Sequence, residues 1–348
     1  MNSEGHGQMV AQPQSDGSKL TGFETGIHRV MLEPKADTAG CSLEIVGTRF
    51  LLKSQNPDGG WGFQPVLSSA TEPTAWAIMG LEAFIGRAEC RQACEKGMAW
   101  LEDCQLKDGS WPAHLGQREG CWVTSVACLA LASKLDEGIA KRAEVLSKGL
   151  RWLLNDWPGE GNLWWRLLRM LEGSNLGRPR GWSWTPGTSG WIEPTAQALL
   201  AVQAAPPELY PRGTKKRIQM AQAMLLNQAL ASGGWNSGSS ESYGYAGRQQ
   251  PGPTSWALMA LRSQEQGQEI AAGLEWLQQI HTSLNGFFSF SLACLCLNFW
   301  EVPYDISRLQ NTFFTRISPG AVMEMGWTLL AISPPEESPL GRWRGLKS

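Results

Sequence analysis

An eight-residue apolar pattern occurs six times along the chain, and it limits the fold more than any other feature. The clearest copy is Thr74–Leu81, with the sequence TAWAIMGL. The other copies are Thr124–Leu131, Thr195–Val202, Thr254–Leu261, Phe290–Leu297 and Met325–Ile332. Repetition of this kind indicates an array of similar structural units rather than several unrelated domains.

Each copy has the composition of a buried helix. Its residues are apolar on almost every face, and small residues occupy the second, fourth and seventh places, where a neighbouring helix can approach closely. Pro73, Pro194 and Pro253 come directly before the threonine of three copies. Because proline is tolerated in the first turn of a helix, these positions are predicted helix starts.

An amphipathic segment precedes the buried helix in most units. It ends in an aromatic and aliphatic block such as Trp100-Leu101 and carries charges on its other face, which is typical of an outer helix. A glycine- and tryptophan-containing turn follows, as in Gln55–Trp61 (QNPDGGW) and Gln105–Trp111 (QLKDGSW). Alternating outer and inner helices predict an all-α fold, an (α/α)6 barrel or toroid. All inner helices would then present the same end to one mouth, where we expect a site.

Composition divides the chain and excludes some functions. Residues 1–40 are a polar segment without periodicity, predicted to be a disordered tail; residues 41–333 form the toroid domain; and 334–348 are a Pro-rich C-terminal tail. The long, tryptophan-rich insert 156–190 interrupts the third unit. A net charge of −2 gives no attraction for nucleic acid. Without a signal peptide or a run of 18 apolar residues, the protein is expected to be cytoplasmic, with reduced cysteines.

The segment from Lys96 to Trp111 has the pattern KGxxWLxxxQxxxGSW. It resembles the QW repeat of the squalene–hopene and oxidosqualene cyclases, and Gln55–Trp61 and Lys148–Leu154 resemble its second and first halves. The span 43–332 is similar to the superfamily of squalene cyclases and protein prenyltransferases. This resemblance implies an α/α toroid in which the repeated Gln and Trp tie the outer helix to the inner helix.

The resemblance also implies two candidate acids. The class II cyclases protonate an alkene with the middle carboxylate of a D-x-D-D-T-A motif. The matching places here are Trp191–Ala196 (WIEPTA) and Ala70–Ala75 (ATEPTA), so Glu193 and Glu72 occupy the place of the acid. The flanking aspartates are replaced by Trp or Ala and by Pro. We predict Glu193 as the catalytic acid and Glu72 as a second polar anchor. The alternative is that both carboxylates stabilise helix N-termini.

Aromatic side chains near the inner-helix starts are the candidate substrate-binding residues. They are Trp76, Trp122, Trp184, Trp191, Tyr243 and Trp256. A well-placed ring stabilises a carbocation by roughly 0.5–2 kcal/mol, whereas packing alone explains any single one of them. No metal and no cofactor are predicted, because the D-x-C pair and later His that hold zinc in the prenyltransferases are missing from this sequence.

Three functions are consistent with these features. The first is a terpenoid cyclase-like enzyme that cyclises or isomerises an isoprenoid by acid catalysis. The second is a non-catalytic toroid that binds a lipid or peptide or scaffolds a partner. The third is a carbohydrate-active (α/α)6 enzyme, which needs two carboxylates about 5 to 9.5 Å apart.

The expected partner is an apolar isoprenoid or a lipid. The segment Leu163–Met170, which contains Trp164 and Trp165, is a candidate for peripheral membrane contact. The sequence leaves open whether a second subunit closes the pocket.

Overall fold

The computed structural model describes residues 42–133, 140–155, 181–237, 241–242, 245–264, 267–305, 307–309, 321–334 and 338–344. These residues form an all-α fold. The strands are one antiparallel pair of two residues each, β1 (Glu241–Ser242) and β2 (Tyr245–Ala246). No helix of the described part is long and apolar enough to cross a bilayer.

Six inner helices contain the six copies of the repeat. They are α2 (Thr71–Glu82), α4 (Val123–Ser133), α6 (Ile192–Ala204), α8 (Pro251–Ala260), α10 (Phe287–Phe299) and α11 (Val322–Ile332). Each packs against the next in this order, and α11 packs against α2, so the ring closes. The predicted (α/α)6 toroid is therefore confirmed. Pro73 and Pro253 lie in the first turns of their helices, as predicted.

Five outer helices surround this ring in the described residues. They are α1 (Leu43–Ser54), α3 (Ala88–Asp103), α5 (Ala140–Asn155), α7 (Thr214–Asn227) and α9 (Gln268–Ile280). Each packs mainly on the inner helix that precedes it around the ring: α3 on α2, α5 on α4, α7 on α6, α9 on α8, and α1 on α11. Every outer helix thus covers the outward face of a helix that is apolar all round.

The repeated polar side chains of the turns make hydrogen bonds between these layers. The side-chain amide of Gln55 donates to the carbonyl oxygen of Ala93 at 2.9 Å, so the first turn is tied to the next outer helix. The indole N–H of Trp61 donates to the carbonyl oxygen of Leu51 at 2.8 Å, near the end of its own outer helix. Gln105 makes the corresponding bond to Val145 in the second unit. The turn tryptophans are therefore scaffold residues.

A second bond joins each turn to the repeat itself. The backbone N–H of Trp61 donates to the hydroxyl of Thr74 at 2.8 Å, and both residues are buried. The same bond recurs between Trp111 and Thr124, Trp182 and Thr195, and Trp235 and Thr254. The first threonine of four copies thus fixes the preceding turn to the N-terminal end of its own inner helix.

The small residues of the repeat allow one very close helix contact. A Cβ added at Gly80 of α2 would lie 2.7 Å from the Cα of Gly326 in α11. A Cβ at Gly326 would lie 2.3 Å from the carbonyl oxygen of Trp76. Any side chain at either position would force the two inner helices apart.

The C-terminal segment contains structure that composition did not indicate. Within 334–348, expected to be a tail, Pro339–Arg344 forms a short helix, α12, that packs against α6. Leu340 and Trp343 of this helix are buried. Since α6 lies opposite α11 in the ring, α12 contacts a helix on the other side of the ring from the helix that precedes it in the sequence.

Candidate functional site

The third place of the repeat faces the ring axis. Trp76 on α2 and Trp256 on α8 belong to helices on opposite sides of the ring, yet their ring centroids are 5.4 Å apart. Trp327 on α11 joins them, with centroids 5.6 Å from Trp76 and 6.0 Å from Trp256. All three are almost completely buried. The predicted substrate-binding residues Trp76 and Trp256 therefore fill the axis; together with Trp327 they form what we call the tryptophan floor.

The residues four positions before the third place of each copy face the same axis, because side chains four residues apart share one face of a helix. They lie nearer the N-terminal ends of the inner helices, which form the mouth. They are Glu72, Trp122, Glu193, Gly252, Phe288 and Met323. Phe288 extends down to the floor, with its ring 5.0 Å from that of Trp327. Gly252 leaves space, since a Cβ added there would meet only Glu193 Oε1 at 3.9 Å. Glu72 and Glu193 thus occupy the positions one helical turn from the tryptophan floor toward the mouth.

Glu72 is the more buried of the two carboxyl groups. Its relative exposure is 9%. Burial raises the pKa of the Glu72 carboxyl to about 8, and no described residue forms a hydrogen bond with it. Its charge in turn contributes to the raised pKa of the Cys121 thiol, although burial is the larger cause there. At neutral pH, Glu72 is therefore mainly protonated, in spite of its place in the first turn of α2, where the helix dipole favours the charged form.

Glu193 has the same motif position and a more polar environment. It is half-buried. Burial raises the pKa of its carboxyl, while a hydrogen bond from Ser237 opposes that rise. The hydroxyl of Ser237 is also 3.0 Å from Oε1 of Gln250, so the serine is held between the two side chains. Glu193 is thus better suited than Glu72 to carry a negative charge.

Sequence reasoning missed several residues of this region. Trp327, Phe288 and Gln197 occupy positions of the repeat equivalent to predicted ones, which is the signal that could have found them. Glu324 in the first turn of α11 is a third half-buried carboxyl group, and burial raises its pKa. It is offset by one residue from the position of Glu72 in the repeat. No group of His, Cys, Asp or Glu in the described ranges has the arrangement of a metal site.

The other predicted aromatic residues have different positions. Trp122 and Trp184 contact each other edge to face, with centroids 4.9 Å apart, and the N–H of Trp122 donates to the carbonyl oxygen of Trp184. Trp191 lies just before α6 and is 39% exposed. Tyr243 and the membrane-contact candidate Leu163–Met170 lie outside the described residues. The aromatic candidates therefore divide into a buried floor and a more accessible group near the mouth.

Exposed apolar side chains lie on two neighbouring loops at the mouth. The loop between Trp61 and α2 carries Phe63, Val66 and Leu67, and the equivalent loop before α4 carries Leu115. An antiparallel bridge between Ala70 and His114 joins the two loops. Val66 is 78% exposed and has a φ of +66°. The place equivalent to Val66 is Gly116 in the second unit and Gly187 in the third, both also with positive φ.

A cavity of about 790 Å³ lies away from the mouth. It opens between the C-terminal end of α6 and the start of α7, and its lining includes Gln203, Tyr210, Gln222 and Ser263. Since the mouth is formed by the N-terminal ends of the inner helices, this cavity is separate from the candidate site.

Comparison with known proteins supports the resemblance. No family model matches the chain. A squalene–hopene cyclase from Zymomonas mobilis is 39% identical over 69 residues, which is 16% of this chain and only 10% of the cyclase.

Among solved structures, a protein from Actinoplanes has a TM-score of 0.52 at 15% identity, covering 83% of this chain and 97% of that one. The type II terpene cyclase MstE from Scytonema has a TM-score of 0.49 at 17% identity, covering 82% and 78% of the two chains. The chain therefore shares its fold with the Actinoplanes protein, and over the 69 matched residues it is similar to the squalene–hopene cyclase.

Proposed function

We propose that the mouth of the ring binds an apolar isoprenoid and that Glu72 donates a proton to it, starting a cyclisation or an isomerisation. The observation that carries this proposal is the Glu72 carboxyl, which is buried, protonated at neutral pH and without a hydrogen-bond partner in the described residues. Such a group holds a proton next to apolar surface, which is where an alkene would lie. The tryptophan floor supplies that surface.

The proton transfer conserves atoms and electrons. The π pair of an alkene takes the proton of Glu72, a C–H bond forms, and a carbocation and the Glu72 carboxylate result. A second alkene of the same molecule can then attack the cation and form a C–C bond. Loss of a proton to Glu193 ends the reaction, and exchange with solvent restores both carboxyl groups. Nearby indole rings favour the cationic steps, by roughly 0.5–2 kcal/mol for each well-placed ring.

The roles of the two carboxyl groups differ from those predicted by the motif. Glu193 was the predicted acid, with Glu72 as an anchor. The greater burial of Glu72 favours it as the proton donor, and the hydrogen bond from Ser237 favours Glu193 as the acceptor. The two assignments are separable by experiment.

The experiment is incubation of the purified protein, without added metal, with squalene, farnesyl diphosphate and geranylgeranyl diphosphate. Products are extracted and identified by gas chromatography and mass spectrometry. We expect a cyclic or rearranged product that Glu72→Gln abolishes and Glu193→Gln reduces. Glu208→Gln, on the exposed surface, is the matched control. Full activity in Glu72→Gln would overturn the assignment of the donor.

A binding protein without chemistry is the second candidate. The observation that favours it is the contact of Trp76 with Trp256 across the axis, because this contact leaves the ring without an open channel at that level. Retention of the isoprenoid by the protein, with no product from any of the three substrates, would support this candidate over the enzyme.

The exposed apolar loops also fit a substrate that comes from a lipid phase. Val66 and Leu67 project from a loop without charged residues beside the mouth. We therefore propose peripheral membrane contact through this loop. Sedimentation with phosphatidylcholine vesicles tests it: wild-type protein is expected to bind, and Leu67→Asp to bind several-fold more weakly. Equal binding of both would count against the loop.

A further inference from the structure

Three buried polar atoms near the tryptophan floor have no hydrogen-bond partner in the part of the chain that the structure describes. They are the side-chain oxygen Oε1 of Gln197 and the indole N–H groups of Trp76 and Trp327. The exposure of these three residues is 4%, 0% and 2%. Buried polar groups are almost always paired in folded proteins, so three unpaired ones at one level of the ring require an explanation.

The repeat assigns all three to the same level. Gln197 occupies in Thr195–Val202 the place that Trp76 occupies in Thr74–Leu81 and Trp327 occupies in Met325–Ile332. The helices of Gln197 and Trp327, α6 and α11, lie on opposite sides of the ring. Trp76 and Trp256 both occupy this third place of the repeat, and their side chains contact each other at the ring axis. The side chain of Gln197, at the same place in α6, is therefore directed toward the interior of the ring.

The chemistry of the three atoms defines the group that would satisfy them. The indole N–H groups can only donate a hydrogen bond, and the amide oxygen can only accept one. A hydroxyl group does both, since its oxygen accepts from an indole and its hydrogen is donated to the amide. A hydrocarbon does neither, and a diphosphate would introduce charge beside the floor with no described cation in the surrounding inner-helix positions. Glu72, one turn above Trp76, is a further donor for the same oxygen.

We propose that the interior of the ring binds a hydroxyl group of an otherwise apolar ligand, between Gln197 and the floor tryptophans. The ligand class is thus an isoprenoid alcohol rather than a pure hydrocarbon. This inference rests on the proposed use of the mouth for an isoprenoid and makes it more specific. A single buried water molecule would form the same hydrogen bonds. The experiment distinguishes a hydroxyl group of the ligand from such a water.

The experiment compares farnesol with β-farnesene, which has the same carbon number and no hydroxyl group. Binding is measured by titration of tryptophan fluorescence and checked by native mass spectrometry. Wild-type protein is expected to bind farnesol about tenfold more tightly than β-farnesene, which is the ratio expected for one net hydrogen bond. Gln197→Met, of similar size, should remove most of this preference.

Gln203→Met is the matched control, because it makes the same substitution at the far end of the same helix, where Gln203 contacts Ser263. Its preference for farnesol should equal that of the wild type. Thermal unfolding of both variants verifies that they are folded. If Gln197→Met does not fold, Gln197→Leu takes its place in the same comparison.

Three outcomes would overturn the proposal. Equal affinity of the wild type for the two ligands would mean that a buried water alone occupies the interior. A preference for farnesol that persists in Gln197→Met would place the hydroxyl group elsewhere. Both of these leave the proposed function intact, whereas failure of the protein to bind either ligand would overturn the proposed function together with this inference.

Discussion

Trp76 and Trp256 belong to helices on opposite sides of the ring, and their rings are tilted by 42° with centroids 5.4 Å apart. Both side chains are buried, although each occupies a place that the repeat assigns to the axis. The interior of this toroid is thus packed by aromatic rings at one level, and the residues nearer the helix N-termini define the site above them.

Removal of a floor tryptophan should destabilise the protein strongly. We expect Trp256→Ala to cost about 3–5 kcal/mol of unfolding free energy, because a large buried side chain is lost and a cavity remains. Trp191→Ala is the comparison, since Trp191 is 39% exposed and should cost about 1 kcal/mol or less. Denaturant unfolding measures both. Similar costs for the two variants would contradict a packed floor.

The bond between Trp61 and Thr74 should be important for stability. The Thr74 hydroxyl accepts from the N–H of Trp61 and can also donate to its carbonyl oxygen, 3.2 Å away. Thr74→Val keeps the shape and leaves the buried N–H of Trp61 unpaired, at an expected cost of about 1–3 kcal/mol, whereas the carbonyl oxygen of Trp61 still accepts from the N–H of Ala70 at 2.9 Å. Thr188→Val removes an exposed hydroxyl and should change stability by about 0.5 kcal/mol or less. The midpoint of urea unfolding distinguishes them.

Val66 should be a strained residue. A β-branched side chain at a φ of +66° is unfavourable, and the equivalent places in two other units hold glycine. Val66→Asn is expected to raise the unfolding free energy by about 1 kcal/mol, since Asn tolerates this region without the flexibility of glycine. Leu67→Asn, next to it, should give no such gain. A lower melting temperature for Val66→Asn would disprove the strain.

Burial of Glu72 should make stability depend on pH. Its pKa is about 8 in the folded protein and 4.5 is the ordinary value, so between these values the folded state binds more protons than the unfolded state. Stability should therefore fall as pH rises through this window, by up to about 1.4 kcal/mol per pH unit from this group. Glu193 and Glu324, whose pKa values are also raised, act in the same direction.

Glu72→Gln should remove the largest part of that slope, and Glu208→Gln should not change it. The measurement is urea unfolding of the three proteins at pH 5, 7 and 9, with the difference from wild type plotted against pH. A slope in Glu72→Gln equal to that of the wild type would show that Glu72 titrates near its ordinary pKa and would weaken its proposed role as a proton donor.

The sequence by itself determined the inner helices and their turns. Six copies of one apolar pattern predict six buried helices, because a helix without a polar face must be covered on every side. The Gln and Trp of the turns, and the proline before the threonine, are local signals that need no knowledge of distant contacts. The resemblance to the squalene cyclases likewise depends on motifs that lie within single units.

Only the tertiary structure decided how equivalent residues differ. Glu72 and Glu193 have the same motif. Glu72 is buried with no hydrogen-bond partner among the described residues, whereas Glu193 is half-buried beside Gly252 and Ser237. Burial depends on the side chains of neighbouring helices that are far away in sequence, so a motif cannot predict a pKa. The same reason explains why Trp343 is buried although its segment has the composition of a tail. Its helix, α12, packs against α6, which is far away in the sequence.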